Sequence, residues 1–151
     1  MGKQKGIPEG YHSVCVYLNI KGADKAIDFY KKAFGATEIG RLTMPDGKIA
    51  HAELQFGDSR IMLAEQNEEW GNKSPEAYGG SPVGLCLYTE NVDQFVKRCL
   101  DAGAKIHNNM EVKDQFYGDR SGTIKDPFGH CWTIATNIET VSFPEMQKRM
   151  E

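Results

Sequence analysis

Several things are scarce in this 151-residue chain. There are only four cysteines, Cys15, Cys86, Cys99 and Cys131, far apart and with no CxxC pair, which excludes a disulfide-stapled scaffold and any closely spaced metal-ligand motif. No apolar run approaches the ~18 residues of a membrane span. The opening stretch MGKQKGIPEG has no apolar core for a signal peptide. Reduced thiols in the cytoplasm and no membrane partner are therefore expected. The net charge of −3 leaves no basic footprint for nucleic acid. What is present is ordinary for a globular protein: 40% hydrophobic and 26% charged residues. A chain this long buries roughly 70% of its unfolded surface, so it folds without staples, as one domain or as two small halves.

The chain reads as two copies of one plan. Val14–Ile20 (VCVYLNI) is an apolar, β-branched strand between Gly10 and Gly22. In GADKAIDFYKKAFG, residues Ala23, Ala26, Ile27, Tyr30, Ala33 and Phe34 fall at helical spacing, and Gly35 is the stop. Strands are expected at Thr37–Thr43, Lys48–Phe56 and Arg60–Glu65, with Pro45-Asp46-Gly47 and Gly57-Asp58 as turns. After Gln66–Pro82 the order repeats. Val83–Thr89 is a strand, and Asn91 caps a helix with Gln94 as box partner. Its apolar stripe is Val92, Phe95, Val96, Cys99 and Leu100, and Gly103 ends it. Lys105–Asn108, Gly122–Lys125 and His130–Thr136 are the remaining strands, with Asp126-Pro127-Phe128-Gly129 as the last turn. Helix, stop glycine and late turn recur in the same order, which points to duplication. The fold class expected is α+β, two βαβββ modules at about residues 11–65 and 83–136 joined by a linker at 66–82. Ser142 to Glu145 reads as a capping box opening a short helix at about 143–150 that packs by Met146 and Met150.

Strand parity sorts the side chains into two faces. Ala50, Ala52, Leu54 and Phe56 suit a covering helix, leaving Ile49, His51, Glu53 and Gln55 on the other side. Val14, Val16, Leu18 and Ile20 likewise oppose Cys15, Tyr17 and Asn19. Val83, Leu85 and Leu87 oppose Gly84, Cys86 and Tyr88, and Trp132 and Ile134 oppose Cys131, Thr133 and Ala135. The mixed face holds one formal charge, Glu53. A solvated face carries more Lys and Glu, so curved sheets forming a cup around a small ligand is the reading preferred over a solvated face.

The βαβββ repeat, the helix AIDFYKKAFG, the strand HAEL and the terminal DPFGHCWTIAT resemble the vicinal oxygen chelate superfamily, which includes glyoxalase I, extradiol dioxygenases and bleomycin-resistance proteins. The segment Asp114 to Arg120 (DQFYGDR) resembles the DQFWGDR loop of a small glyoxalase/bleomycin-resistance-like branch. The resemblance implies two βαβββ modules, a site enclosed by the sheets and a homodimer. It puts the four metal-ligand positions on Cys15, Glu53, Gly84 and Thr133, of which only Glu53 matches the usual His and Glu set. The function expected is therefore binding of a small molecule in the cup, without a metal or other cofactor. The alternatives are a divergent glyoxalase-type lyase with zinc or nickel held by a rebuilt set from Cys15, Cys86, Cys131, His51 and Glu53, an acid–base catalyst using His51 and Glu53, and a non-catalytic interaction dimer.

The cup residues expected are Cys15, Tyr17, Asn19, His51, Glu53, Gln55, Cys86, Tyr88, Phe116, Arg120 and Thr133. Arg120 reads either as a clamp for an anionic group or as a partner of Asp119 or Asp114. Donors for Glu53 are expected from His51, Arg120 or Asn19. His12 reads as a strand-entry residue, His107 as solvated and His130 as a turn residue. Trp70 and Tyr78 in the linker read as a lid or a dimer contact.

Overall fold

The computed structural model describes residues 5–151; the first four residues of the stretch read above for a leader lie outside the described residues. The chain divides into two compact units, one ending at Gly79 and the other running from Gly80 to Glu151.

The first unit contains β1 (Tyr17–Ile20), α1 (Ala23–Phe34), β2 (Thr37–Thr43), β3 (Ile49–Phe56), β4 (Ser59–Glu65) and α2 (Pro75–Tyr78). Its sheet runs β1-β4-β3-β2, with β1 parallel to β4 and the other pairs antiparallel. A connection that brings the first strand parallel to the last needs a crossover, and α1 supplies it. The helix buries Ala23, Ala26, Ile27, Phe29, Tyr30, Ala33 and Phe34. Leu18, Ile20, Ala52, Leu54, Phe56 and Leu63 are among the buried apolar residues of the sheet. Rings of Tyr30, Phe34 and Phe56 meet at centroid distances of 5.4 to 5.7 Å. Each fully buried side chain of this size contributes about 1.5–3 kcal/mol. Gly35 stops the helix at φ 67, a left-handed conformation that costs other residues their Cβ clearance. At the other end the Glu65 carboxylate accepts from the backbone N–H groups of Gly22 and Ala23, both on its Oε2, at 2.9 and 2.8 Å, capping α1 from β4.

Two expectations fail in this unit. β1 begins at Tyr17 rather than Val14, because only Tyr17–Ile20 pair with Met62–Glu65 of β4, and Val14 is left 88% exposed. In β3 the inside and outside positions exchange at the start: Ile49 is buried and Ala50 exposed. The β2–β3 register shifts between Leu42 and Thr43, and a bulge of this kind turns one residue to the opposite face. The linker also has structure of its own, a bridge between Asn67 and Asn72 followed by α2.

The second unit repeats the plan with β5 (Gly84–Tyr88), α3 (Val92–Asp101), β6 (Lys105–Ile106), β7 (Lys113–Asp114), β8 (Asp119–Lys125), β9 (Cys131–Asn137) and α4 (Phe143–Met150). Its sheet runs β5-β9-β8-β6, β5 is parallel to β9, and β7 pairs with β8. Asn91 caps α3 as expected, accepting from Gln94 N–H at 3.1 Å. Thr136 Oγ1 accepts from Val92 N–H at 3.0 Å and so ties the start of α3 to β9. Val92, Val96, Cys99, Ile124, Trp132 and Ile134 are buried. Burial pushes the Cys99 thiol up to about 12, the state of an apolar filler. The strand expected at Lys105–Asn108 is shorter, β6 ending at Ile106, and the two-residue β7 was not expected. β8 begins at Asp119, three residues earlier than expected.

The C-terminal helix forms where expected, with Ser142 Oγ accepting from Glu145 N–H at 3.3 Å. Of the two methionines expected to pack it, Met146 is half-buried and Met150 is exposed. None of its residues is fully buried, and Phe143 is exposed. Arg149 holds it, donating to the Phe116 carbonyl at 2.9 Å and to the Glu139 carboxylate at 2.8 Å. Replacing Arg149 by Ala is expected to raise amide exchange throughout α4 while leaving β8 and β9 protected, a contrast that hydrogen-exchange mass spectrometry resolves. Among the described residues no helix is long and apolar enough to cross a membrane.

Candidate functional site

In the first unit the face of the sheet opposite α1 carries a chain of polar groups. β3 presents His51, Glu53 and Gln55 on alternate positions, and the adjacent β4 presents Met62 and Arg60 beside Glu53 and Gln55. The Tyr17 hydroxyl of β1 shares a hydrogen bond of 2.9 Å with His51 Nδ1, the rings tilted with centroids 5.6 Å apart. Burial pushes the Tyr17 phenol above its ordinary range. On its other side, His51 Nε2 lies 3.6 Å from Glu53 Oε2. Tyr11, just ahead of β1, donates its hydroxyl to Glu53 Oε1. The contacts thus run Tyr17, His51, Glu53, Tyr11.

Tyr11 was not among the expected donors to Glu53. Arg60 helps place it, with its guanidinium 5.8 Å over the Tyr11 ring and its Nη1 donating to Glu9 O at 3.3 Å. Gln55 shares the face but is spent locally: it donates to Gly57 O at 2.9 Å and accepts from Arg60 Nε at 3.0 Å. Asn19 is half-buried beside Ala64. Cys15 precedes β1, its Sγ lies 3.4 Å from Val16 O, and burial pushes its thiol up.

The second unit has its own polar face. Tyr88 donates to Asp119 Oδ2 at 2.8 Å, and Asn137 Nδ2 donates to Oδ1 at 2.9 Å. This bond to a carboxylate 6% exposed pushes the Tyr88 phenol up to about 12. Cys86 is exposed on the same strand, and its thiol is raised by burial and by Asp119. Thr133 pairs its hydroxyl with Thr123 at 2.9 Å, and Tyr117 approaches Ser121 at 3.4 Å. These hydroxyls belong to a cavity of about 590 Å³ that Met110, Val112, Lys113 and Gln115 also line. Sequence reading missed most of this cavity, because it placed the start of β8 too late for Ser121 to be assigned to a face.

Two expected cup residues lie elsewhere. Arg120 alternates with Asp119 and Ser121, so it shares the α3 side of β8 with Gly122 and Ile124. Asp93 of α3 holds it through two bonds of 2.8 and 3.0 Å, and Asp114 through one of 3.0 Å. Asp114 was an expected partner; Asp93 was not, and Asp119 is taken by Tyr88. Phe116 sits at the β7–β8 turn with its ring edge on Tyr117, outside the lining of the cavity. His130 follows the turn as expected, its backbone N–H bonded to Asp126 Oδ1, and it is buried there.

The residues at the four metal-ligand positions implied by the resemblance do not fit a divalent ion. Gly84 has no donor side chain, the Thr133 hydroxyl is paired with Thr123 and is a poor ligand for a transition ion, and burial pushes the Cys15 thiol up. Glu53 alone offers an anionic oxygen, and Tyr11 and His51 already occupy it.

Comparison with known proteins agrees with this architecture. An uncharacterized protein of Mycobacterium bovis is 41% identical over 137 residues, 89% of each chain. An uncharacterized protein of Arabidopsis thaliana is 32% identical over 119 residues, 73% of this chain and 69% of that one. Its crystal structure superposes with a TM-score of 0.65 at 27% identity, covering 83% of this chain and 98% of that chain. The fosfomycin resistance protein FosX of Listeria monocytogenes, complexed with Mn(II) and sulfate, has the same fold, with a TM-score of 0.63 at 17% identity, covering 93% of this chain and 98% of that one. The family model described as Glyoxalase/Bleomycin resistance protein/Dioxygenase superfamily matches residues 12–134, and the chain belongs to that superfamily.

Proposed function

We propose that this protein binds a small organic molecule on the helix-free faces of its sheets and does so without a divalent metal. The observation that carries the reading is the cavity of about 590 Å³ in the second unit. Its volume falls within the ~300–1,000 Å³ of small-molecule sites, and it combines apolar side chains with a few convergent hydroxyls. The degraded ligand set supports the metal-free part: unlike the Mn(II) complex of FosX, this chain keeps one carboxylate where a metal would need several donors. A homodimer fits the exposed Ile39 and Leu42 on edge strand β2 and Val83 beside edge strand β5, and four free thiols fit the cytoplasm.

A thermal-shift screen of small molecules in the presence of a chelator tests this directly, because a ligand that binds only the folded state raises the transition by mass action. Hits that persist with chelator are expected. Stabilisation that appears only after nickel or zinc is added would overturn the metal-free reading. Light scattering is expected to return twice the 16.9 kDa chain mass.

A second reading, acid–base catalysis, is favoured by the Tyr17–His51–Glu53–Tyr11 chain. There an imidazole lies between a phenol it can deprotonate and a carboxylate that would stabilise the resulting imidazolium.

A further inference from the structure

The cavity of the second unit exists because the edge strand is broken. Between β6 and β7 the chain leaves β8, and Asn108 and Asn109 take left-handed backbone angles, φ 47 and 58, that among side-chain-bearing residues suit asparagine best. The detour then comes down hard on Gly122. A Cβ there would lie 2.9 Å from both the Val112 nitrogen and its Cγ2, so glycine is what lets the segment close against β8. Met110 N–H bonds His107 O at 2.9 Å and Met110 O accepts from Thr123 N–H at 2.8 Å, which fixes the wall in place before any ligand arrives.

Two charged residues line this cavity, Glu111 and Lys113, and neither has an ion-pair partner among the described residues. They stand two apart on either side of a bend at Val112, and both line the cavity. Lys113 pairs in register with Ser121, whose side chain is on the cavity floor. By contrast, the neighbouring charges Asp114, Arg120, Glu139 and Arg149 are all consumed in ion pairs. A pocket with one free cation and one free anion at its rim, hydroxyls on its floor and Met110 on its wall is complementary to a ligand of both signs, not to a simple acid or base.

We infer that this cavity takes a zwitterionic small molecule, one with a carboxylate for Lys113, a protonated amine for Glu111 and an apolar body against Met110. The inference rests on the binding function proposed above and names its ligand class. Three probes of matched shape test it on the full chain: 4-(aminomethyl)benzoate, 4-methylbenzoate and 4-methylbenzylamine, titrated by amide chemical-shift perturbation. The zwitterion is expected to bind most tightly, shifting residues 110–113 and 121–123. Lys113→Gln is expected to weaken the zwitterion and the acid, and Glu111→Gln the zwitterion and the amine, each by roughly tenfold, the scale of one charge-assisted bond. Both substitutions are at exposed side chains with no ion-pair partner among the described residues, so the fold stays intact, and Lys97→Gln, at the exposed Lys97–Asp101 pair, is the neutral control.

Equal affinity for all three probes, or affinity indifferent to both substitutions, overturns the zwitterion assignment. If none of the probes binds but the chelator-resistant screen still yields ligands for this cavity, the ligand class is wrong and the binding function stands. If neither probes nor screen bind, both fall together.

Discussion

N-acetylimidazole is expected to acetylate Tyr17 faster than Tyr78, although Tyr17 is 48% exposed and Tyr78 66%. Exposure alone gives the opposite order. Burial also works against Tyr17 by holding its phenol protonated, so any excess reactivity must come from removal of the proton during attack. His51 Nδ1 lies 2.9 Å from the hydroxyl and is placed to take that proton as the phenol oxygen bonds to the acetyl carbon and imidazole departs. A positioned base is worth roughly a hundredfold or more, so His51→Ala is expected to reduce Tyr17 labelling by about that factor. Glu53→Gln keeps the shape and removes the charge that steadies the imidazolium, and a reduction of roughly tenfold is expected. Tyr88 supplies a second comparison. It is well exposed, but its hydroxyl is committed to Asp119 and its phenol is pushed up to about 12, so it should label most slowly of the three. Peptide mass spectrometry reads all three tyrosines in one sample. Labelling in the order of exposure, or labelling of Tyr17 that ignores His51→Ala, would mean that the chain of hydrogen bonds is static and the acid–base reading is wrong.

Much of the architecture was legible because it rests on long-period signals. Seven buried positions of α1 recur at helical spacing, and the Gly35 stop and the Asn91 cap are local chemistry that tertiary packing did not override. The parity of β3 from His51 to Phe56 followed the alternation of small apolar and polar residues. It failed at Ala50, since a bulge depends on the partner strand and leaves no mark in β3 itself. β6 and β7 are two residues each, too short to show any period, and Gly122 inside β8 reads as a break when it is a contact point for Val112. That one error hid Asp119 and Ser121, and with them most of the second unit's face. Arg120 was misplaced for the same reason, because without the start of β8 its side of the sheet could not be assigned. Tyr11 lay outside any periodic segment, so nothing in the sequence joined it to Glu53, more than forty residues away.

The largest loss of stability is expected at Asp126, a carboxylate 3% exposed in the turn before β9. Its Oδ1 accepts from the N–H groups of Phe128 and His130 at 2.9 and 3.0 Å, and its Oδ2 from Trp132 Nε1 at 3.0 Å. Replacing it by Ala strands three donors, two of them on buried residues. At 1–3 kcal/mol for each buried group left unsatisfied, the cost is about 3 kcal/mol after water reaches the most accessible one. For a chain of this size that lowers Tm by roughly 10 °C. Asparagine is no remedy, because whichever way its amide is turned an N–H faces another N–H: Trp132 in one orientation, the backbone donors in the other. The conflict has a specific partner, and removing that partner should show it. Combining Asp126→Asn with Trp132→Phe is expected to cost about 1 kcal/mol less than the sum of the two single substitutions, a coupling measurable by denaturant unfolding. Simple additivity would mean that the indole bond contributes nothing to this turn, and that Trp132 is retained there for packing against α3 alone.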